Sequence, residues 1–212
     1  MTATTKILLV DDHAVVREGY RRLLEVEPSI HVVGEASNAA QACEHARSLE
    51  PDVVVMDIAL PGVSGIEATR RMLKDQPGLR ILMFSMYDDA IYARRALEAG
   101  ALGYLSKACA PEVLLRAIYA VSRGERYVSS DVATNMARSE AQPGKVDIEA
   151  LTPREFEILR LLVQGETVRS ISEKLALSEK TVANHQSAIR EKFGARNSAQ
   201  LARLASQLDL SI

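Results

Sequence analysis

The chain has 212 residues, a length that fits one large domain or two domains of ordinary size. Hydrophobic residues make up 47% of the chain and charged residues 25%, a mixture that is typical of a globular protein and excludes a largely disordered one. No apolar run approaches the roughly 18 residues that a membrane span needs, and the N-terminus turns acidic too early for a signal peptide, so we expect a cytoplasmic protein without a membrane partner.

Short β-rich runs alternate with helical patterns over the first 122 residues. The predicted strands are residues 6–10, 31–36, 53–56, 80–85 and 101–105. The predicted helices comprise one with an apolar face from Val15 to Leu24 and four more near 38–49, 64–75, 88–99 and 111–123. This alternation predicts an α/β doubly wound domain, in which a five-stranded parallel sheet is covered by helices on both faces.

The alternation stops after the fifth predicted helix. Residues 123–149 contain a polar helix cap and a Gln-Pro-Gly-Lys break, and they predict a linker with one short helix near 130–139. From residue 150 to 212 only four helical patterns follow, and the first has Thr152 as N-cap with Glu155 at the capping-box position. The chain is therefore predicted to end in a small all-α domain.

The net charge of −2 conceals a difference between the two ends of the chain. Residues 1–122 hold 13 Lys and Arg against 16 Asp and Glu, whereas residues 151–212 hold 9 against 7. An acidic front and a mildly basic back predict two domains with different tasks. A charge difference this small is weak support for nucleic acid binding, so the assignment of that function depends on sequence motifs.

Acidic side chains follow two of the predicted strands. Asp11 and Asp12 come after the first strand and Asp57 after the third. Because the carboxyl ends of parallel strands meet at one edge of the sheet, three carboxylates would share one crevice, where they need a cation. Oxygen ligands favour a hard divalent ion such as Mg²⁺. Taken alone, the acid pair could also cap a helix, and Asp57 could belong to an ordinary loop.

Two further polar residues point to the same edge, since Ser85 ends the fourth predicted strand and Lys107 follows the fifth. Each of them alone indicates little. A carboxylate nucleophile, Mg²⁺, a hydroxyl donor and an ammonium together predict phosphoryl transfer onto Asp57, a reaction that depends on positioning and charge neutralisation.

The stretches LLVDDH, VVVMDIALPGVSG, MFSMYDD and GALGYLSKACAPEVL resemble the receiver domain of two-component response regulators, which has a flavodoxin-like fold. We assign residues 1–122 to such a phosphoacceptor domain. The resemblance implies that a sensor histidine kinase phosphorylates Asp57. It also implies that Mg²⁺ is held by Asp12, Asp57 and the backbone carbonyl of Ala59, with assistance from Asp11.

The same resemblance implies a switch around the phosphate. Lys107 would pair with the phosphoryl oxygens, and Ser85, at a position where Thr is more usual, would hydrogen-bond them. Tyr104 lies three residues before Lys107, where the switch aromatic of the family belongs, and would follow inward. A half-buried strand aromatic is the alternative reading of Tyr104.

The helix after Ser178 has the features of a DNA-reading element. Val182, Ile189 and Phe193 have the spacing of a buried face. Small and amide side chains that could approach base edges in the major groove are Ala183, Asn184 and Ser187. Candidates for contacts with DNA phosphates are Lys180, Thr181, Arg190, Lys192 and Arg196. Cationic residues on a helix most often form a solvated face, so the residues alone leave DNA binding open.

The stretches LTPREFEILRLLVQG and ISEKLALSEKTVANHQSAIREKFGARNSAQL resemble the LuxR-type helix-turn-helix domain. The NarL/FixJ class of response regulators joins such a domain to a receiver. The resemblance implies that TVANH begins the recognition helix, although Ala183 stands where family members commonly carry Lys.

The function implied is that of a DNA-binding response regulator and not of an enzyme. Phosphorylation of Asp57 would release the helix-turn-helix domain and favour a homodimer that binds two half-sites of double-stranded promoter DNA, with RNA polymerase as a further candidate partner. Apolar residues of the fifth predicted helix could form core or a dimer surface, namely Val113, Leu114, Ala117, Ile118 and Val121.

Other functions share parts of this pattern. Aspartyl-phosphate phosphatases use the same components, but their nucleophile stands in an Asp-x-Asp arrangement after the first strand, and LVDDHA lacks that spacing. In a pure interaction module the C-terminal helices would dock a protein. The salt dependence of DNA binding would separate that possibility, because contacts with DNA phosphates produce a steep slope.

Overall fold

The chain divides into two compact units, residues 1–137 and 138–212. The residues that the computed structural model describes are 4–88, 90–140, 151–193, 195, 200 and 201. Among these residues, no helix combines the length and the apolar character needed to cross a membrane.

A six-stranded parallel sheet forms the centre of the first unit. Its strands are β1 (Thr5–Val10), β2 (Ile30–Ala36), β3 (Val53–Met56), β4 (Ile81–Ser85), β5 (Gly103–Ser106) and β6 (Tyr127–Val128). Their order across the sheet is β2-β1-β3-β4-β5-β6. The direction of winding reverses between β1 and β3, and such a reversal opens a crevice at the carboxyl ends of the two strands.

Helices follow the strands in regular alternation. They are α1 (Ala14–Glu25), α2 (Ala39–Leu49), α3 (Gly65–Asp75), α4 (Ala90–Glu98), α5 (Pro111–Ser122) and α6 (Ser130–Glu140). Local capping matches the sequence, since the Asn38 side chain accepts from Gln41 N and the Ser64 side chain accepts from Glu67 N. The doubly wound α/β fold is therefore confirmed.

The core lies between the sheet and its helices. Buried residues on one side of the sheet include Ile7, Leu9, Val53, Val55, Leu82 and Phe84, and α5 packs against them with Leu114, Ala117, Ile118 and Val121. Burial of each large apolar side chain stabilises the fold by about 1.5–3 kcal/mol. Four of the five apolar residues whose role the sequence left open thus belong to the core, and Val113 is partly buried against it.

The prediction of five strands was wrong by one strand. Tyr127 and Val128, which were assigned to the linker, pair in parallel with Gly103 and Tyr104. The Tyr127 backbone N–H also donates to the carbonyl of Leu102 at 3.0 Å. A strand of two residues shows no alternation in the sequence, and β6 exists because the edge of β5 offers it hydrogen-bonding partners.

After the end of α6, the described part of the second unit contains the helices α7 (Pro153–Val163), α8 (Val168–Lys174) and α9 (Glu179–Lys192). The predicted capping box at the start of α7 is present, with Thr152 Oγ1 accepting from Glu155 N at 3.2 Å and Glu155 Oε2 accepting from Thr152 N at 2.6 Å. Of the predicted fourth helix, only Gln200 and Leu201 are described, and both are helical.

Candidate functional site

Backbone hydrogen bonds continue the sheet beyond its strand ends and hold two of the predicted acidic residues. Asp11 N donates to the carbonyl of Ala36 at 3.0 Å, and Asp57 N donates to the carbonyl of Val10 at 2.9 Å. Asp11 is 6% exposed and Asp57 4% exposed. Both carboxylates are therefore buried at the same edge of the sheet.

Lys107 joins these carboxylates into one cluster. Its Nζ donates to Asp11 Oδ2 at 2.6 Å and to Asp57 Oδ2 at 2.7 Å. Burial by itself lowers the pKa of Lys107, but the charge of Asp57 and the hydrogen bonds to both carboxylates outweigh it and raise the pKa above its usual value. The ammonium therefore stays charged and compensates the buried negative charge.

The second oxygen of Asp57 and its main chain are also held. Asp57 Oδ1 accepts from Ile58 N at 2.7 Å and from Ala59 N at 3.4 Å. Gly65, the first residue of α3, lies against the peptide of Asp57, where a Cβ on Gly65 would lie 1.8 Å from the Asp57 carbonyl oxygen. A side chain at position 65 and the present position of Asp57 are thus incompatible.

Asp11, Asp12 and His13 form a group whose ligand atoms lie within 4.8 Å of one another. The pKa of Asp12 is raised by burial and by the charges of Asp11 and Asp57, and the nearby His13 offsets this only in part. A carboxylate destabilised by like charges gains from a bound cation, and the oxygen donors suit a hard divalent ion. His13, with Nδ1 2.7 Å from Asp12 Oδ1, was not predicted, although its place beside the acid pair was the available signal.

The two predicted switch residues face a short loop after β4. Ser85 and Tyr104 have no exposed surface. Ser85 Oγ accepts from Tyr87 N at 3.4 Å, and the Tyr104 hydroxyl donates to the carbonyl of Tyr87 at 2.6 Å. Tyr104 is a strand aromatic that is fully buried and not half-buried, and its switch role stays a prediction.

The predicted faces of α9 are confirmed by burial. Val182, Ile189 and Phe193 are buried, and Ser178 caps the helix by accepting from Thr181 N at 3.0 Å. Exposed or partly exposed residues of the predicted DNA-binding set are Lys180, Thr181, Ala183, Asn184, Ser187, Arg190 and Lys192. Arg196 lies outside the described residues.

The cationic residues of α9 differ in their partners. Lys192 Nζ donates to Glu155 Oε2 at 2.6 Å, so this ammonium ties the end of α9 to the start of α7. Arg190 donates to Ser187 Oγ at 3.0 Å on the exposed surface. Arg154 of α7 makes a contact that the sequence did not predict. It donates to the carbonyl of Leu175 at 2.8 Å, directly before the turn between α8 and α9.

Each of the two units contains a match to a known protein family. Residues 7–119 match the response regulator receiver domain family, and residues 149–205 match the luxR family of bacterial regulatory proteins. The response regulator UvrY of Escherichia coli (strain K12) is 39% identical over 201 residues, which cover 94% of this chain and 92% of UvrY.

Two solved structures are also similar. A LuxR-family two-component response regulator from Aurantimonas sp. SI85-9A1 has 46% identity and a TM-score of 0.64, covering 66% of this chain and 100% of that chain. RcsB from Salmonella enterica serovar Typhimurium, bound to promoter P1flhDC with the phosphomimetic BeF3−, has 26% identity and a TM-score of 0.62, covering 97% of this chain and 99% of that chain. The chain therefore belongs to the NarL/FixJ class of two-component response regulators, in which a receiver domain is joined to a DNA-binding LuxR-type helix-turn-helix domain.

Proposed function

We propose that Asp57 is the phosphoacceptor of this response regulator and that a sensor histidine kinase is its donor. The observation that carries the proposal is the buried Asp57 carboxylate, hydrogen-bonded by Lys107 Nζ at 2.7 Å. A carboxylate oxygen attacks the phosphorus, the bond from phosphorus to the imidazole nitrogen of the kinase breaks, and that nitrogen takes up a proton. The product is an aspartyl phosphate, and the chain acts as an acceptor without turnover as an enzyme.

We assign a divalent cation, Mg²⁺, to the same site, with Asp12 and Asp57 as ligands and the Ala59 carbonyl and Asp11 in support. When bound, the cation neutralises negative charge on the transferred phosphoryl group. The raised pKa of Asp12 supports the assignment, because burial and, after it, the charges of Asp11 and Asp57 disfavour the ionised carboxyl, and a bound cation offsets both effects.

Phosphorylation adds about −1.5 to −2 charges to a cluster of carboxylates. We assign to Lys107, which now donates to Asp57 Oδ2 at 2.7 Å, the pairing with the new phosphoryl oxygens, and to the Ser85 hydroxyl a hydrogen bond to the same oxygens. Since Ser85 now accepts from Tyr87 N at 3.4 Å, its reorientation alters the loop that also holds the Tyr104 hydroxyl.

The DNA-binding activity of the class is assigned here to α9. Ala183, Asn184 and Ser187 are proposed to read base edges, because they are small or amide side chains on an exposed face. Phosphate contacts are proposed for Lys180, Thr181, Arg190, Lys192 and Arg196. For Lys192 such a contact requires exchange of its present partner, Glu155.

The roles of the chain segments follow from these assignments. We propose residues 1–122 as the phosphoacceptor domain, 123–149 as a connection that also adds strand β6 to the sheet, and 150–212 as the DNA-binding domain. Phosphorylation favours a homodimer, which binds two half-sites of promoter DNA in the cytoplasm and acts on RNA polymerase. The likeness to RcsB, whose structure is bound to a promoter, supports the choice of double-stranded promoter DNA.

The test is a titration of the full chain with acetyl phosphate and Mg²⁺, in which mass and oligomeric state are followed together. We expect one phosphoryl group per chain and a shift to dimers, and we expect Asp57→Ala to lose both. Asp75→Ala, which removes an exposed carboxylate on α3, is the matched control and should behave as the parent. Labelling of Asp57→Ala equal to that of the parent would refute the assignment.

A further inference from the structure

Arg17 of α1 connects the acidic site to the second strand. Its Nη1 donates to the backbone carbonyl of Asp11 at 2.6 Å, and its Nε donates to Glu35 Oε2 at 2.9 Å. Arg21, one turn later, donates to the other oxygen of Glu35 at 2.7 Å. The Arg17 side chain is only 16% exposed, so its two contacts are made mostly away from solvent.

We infer that Arg17 is a positioning residue for the divalent cation, an inference that rests on the proposed function. Apart from Arg17, Asp11 is held through its own N–H, through Oδ1 by the N–H of His13, and through Oδ2 by Lys107. The Arg17 contact holds the carbonyl of the peptide that links Asp11 to Asp12. The orientation of that peptide sets the direction of the Asp12 side chain, the proposed cation ligand.

Charge and position predict opposite effects for the loss of Arg17. A guanidinium near a cation site repels the cation, so the loss of its charge alone would tighten Mg²⁺ binding. The loss of a group that orients a ligand weakens metal binding, typically by about 10–100-fold. Because Glu35, 2.9 Å from Arg17 and shared with Arg21, already compensates part of the Arg17 charge, we expect the positioning effect to be the larger one.

The experiment measures the Mg²⁺ dissociation constant of the full chain by calorimetry for the parent, Arg17→Ala, Arg17→Lys and Arg22→Ala. Arg22 lies on the same helix, is 79% exposed and pairs with Glu18, so its variant removes the same charge without touching the site. Urea unfolding of the same samples shows that each variant is folded. If Arg17→Ala does not fold, the positioning role is decided with Arg17→Lys, which keeps the positive charge but has one donor nitrogen in place of the two that Arg17 uses.

We expect a dissociation constant about tenfold higher for Arg17→Ala, an intermediate value for Arg17→Lys and no change for Arg22→Ala. Tighter binding, or a constant equal to that of Arg22→Ala, would overturn the positioning role. Absence of Mg²⁺ binding by the parent itself would instead overturn the proposed cation site.

A different set of contacts links the loop after β4 to the start of α6. This switch loop, residues 86–88, is held at Tyr87 by Ser85 and Tyr104, and the carbonyl of Asp88 accepts from Asn135 Nδ2 at 3.2 Å. The residue directly before α6 is joined to β5, because Ser129 N donates to the carbonyl of Tyr104 at 3.2 Å. Residues 127–135 thus contact both the loop and the strand of the switch aromatic.

Among the described residues, none is hydrogen-bonded to the Ser129 hydroxyl at this junction. Ser129 is 5% exposed, and its Oγ is buried without a hydrogen bond in the described part of the chain. A buried hydroxyl without a partner disfavours the present arrangement, so an alternative in which it is bonded gains free energy. The Ser129 hydroxyl therefore favours a rearrangement of the junction that brings it to a partner.

We propose that Asn135 transmits closure of the switch loop to α6, the helix that leads along the chain into the second unit. When Ser85 turns toward the phosphoryl group, Tyr87 loses its contact with the hydroxyl and the Asp88 carbonyl moves. The Asn135 amide then either moves with the carbonyl or loses its hydrogen bond to it. In both cases the amide exchange of α6 changes. This proposal also rests on Asp57 phosphorylation.

Hydrogen exchange of the full chain, with and without beryllofluoride and Mg²⁺, tests the proposal. In the parent we expect amide exchange to change in residues 86–88 and in 127–138. In Asn135→Ala the change in the loop should remain, whereas the change in α6 should be lost. Thr134→Ala is the control, because Thr134 is exposed and bonds only to the Ser130 carbonyl of its own helix.

An equal response of α6 in Asn135→Ala and in the parent would overturn the proposal. The same holds if α6 of the parent does not respond while the loop does. If neither segment of the parent responds, the phosphoacceptor assignment itself is at fault, and the acetyl phosphate titration would show it independently.

Discussion

Gly65 shows how strongly a single residue constrains the position of Asp57, the proposed phosphoacceptor. A Cβ at this position would lie 1.8 Å from the carbonyl oxygen of Asp57, and that contact is with backbone, which cannot turn aside as a side chain can. The first turn of α3 therefore packs directly on the backbone of Asp57, the proposed phosphoacceptor. Substitutions at position 65 are limited by this steric contact with the Asp57 backbone and not by the helix propensity of the new residue.

We predict that Gly65→Ala lowers the extent of phosphorylation by acetyl phosphate severalfold and destabilises the fold by about 1–3 kcal/mol through overpacking. Gly19→Ala is the matched control, since a Cβ at Gly19 in α1 meets nothing within 4 Å. That variant should be neutral or more stable by about 0.5–1 kcal/mol. Mass spectrometry and urea unfolding measure both effects. Normal phosphorylation of Gly65→Ala would show that Asp57 moves without cost.

Glu155 gives the second unit a dependence on pH. Burial by itself raises the pKa of this carboxyl, but hydrogen bonds from Lys192 and from the N-terminal cap at Thr152 outweigh it and hold the pKa below its usual value. A carboxyl with a lower pKa in the folded chain stabilises the fold at pH values above its unfolded pKa. That contribution is lost as the pH falls through the folded pKa.

We predict that Glu155→Gln lowers the free energy of unfolding by about 1 kcal/mol at pH 7 and that the difference from the parent shrinks below about pH 4. Glutamine can still cap α7, so the charge is the main loss. Denaturant unfolding between pH 3 and pH 7 measures the effect. Glu173→Gln, which affects an exposed ion pair with Arg169, should change stability little at any pH. A difference for Glu155→Gln that does not depend on pH would exclude a charge effect.

Among the secondary structure elements, α9 separates its tasks by face and by position along the helix. One face packs into the small core through Val182 and Ile189, and the other presents Asn184 and Ser187. Near the C-terminal end, Lys192 is engaged with Glu155. Of the proposed reading positions, Asn184 lies in the N-terminal half of α9, which in helix-turn-helix domains is the part that enters the major groove, and Ser187 lies just beyond the middle of the helix.

We predict that Asn184→Ala weakens binding to specific promoter DNA by about 1–3 kcal/mol and leaves binding to random DNA nearly unchanged. Arg190→Ala should weaken both, because a phosphate contact carries no sequence information. Titrations of the phosphorylated chain with the two kinds of DNA measure the difference. An equal loss of specific and random binding in both variants would contradict the division of roles along α9.

For the whole molecule, charge is distributed unevenly between the two halves. The chain carries a net charge of −2, yet residues 151–212 hold 9 Lys and Arg against 7 Asp and Glu. Binding to DNA must therefore come from local cations and not from the overall charge. The phosphoryl group enters the other, acidic half, so its effect on DNA binding has to pass through conformation or assembly.

We predict that the logarithm of the DNA association constant falls with the logarithm of salt concentration, with a slope of about −0.9 for each phosphate contact. If phosphorylation produces dimers, the slope for the bound species should roughly double. Fluorescence anisotropy over a range of salt concentrations measures both slopes. A slope near zero would instead favour docking of the C-terminal helices on a protein partner.

Much of the fold and of the candidate site was predictable because the signals are local. Buried strands such as Val53–Met56 read as short apolar runs, and helix starts at Ser64, Thr152 and Ser178 carry their own capping residues. The positions of Asp11, Asp57 and Lys107 at strand ends follow once the strands are predicted, since a parallel sheet brings those ends together.

The tertiary structure alone decided the contacts between segments that are distant in sequence. Lys107 reaches Asp57 across 50 residues and Asp11 across 96 residues, and Lys192 reaches Glu155 across 37. The short strand β6, the close approach of Gly65 and the link from Arg17 to Asp11 are further cases. The physical reason is the same for all of them: periodicity and capping depend on neighbours along the chain, whereas these contacts depend on how separate elements pack.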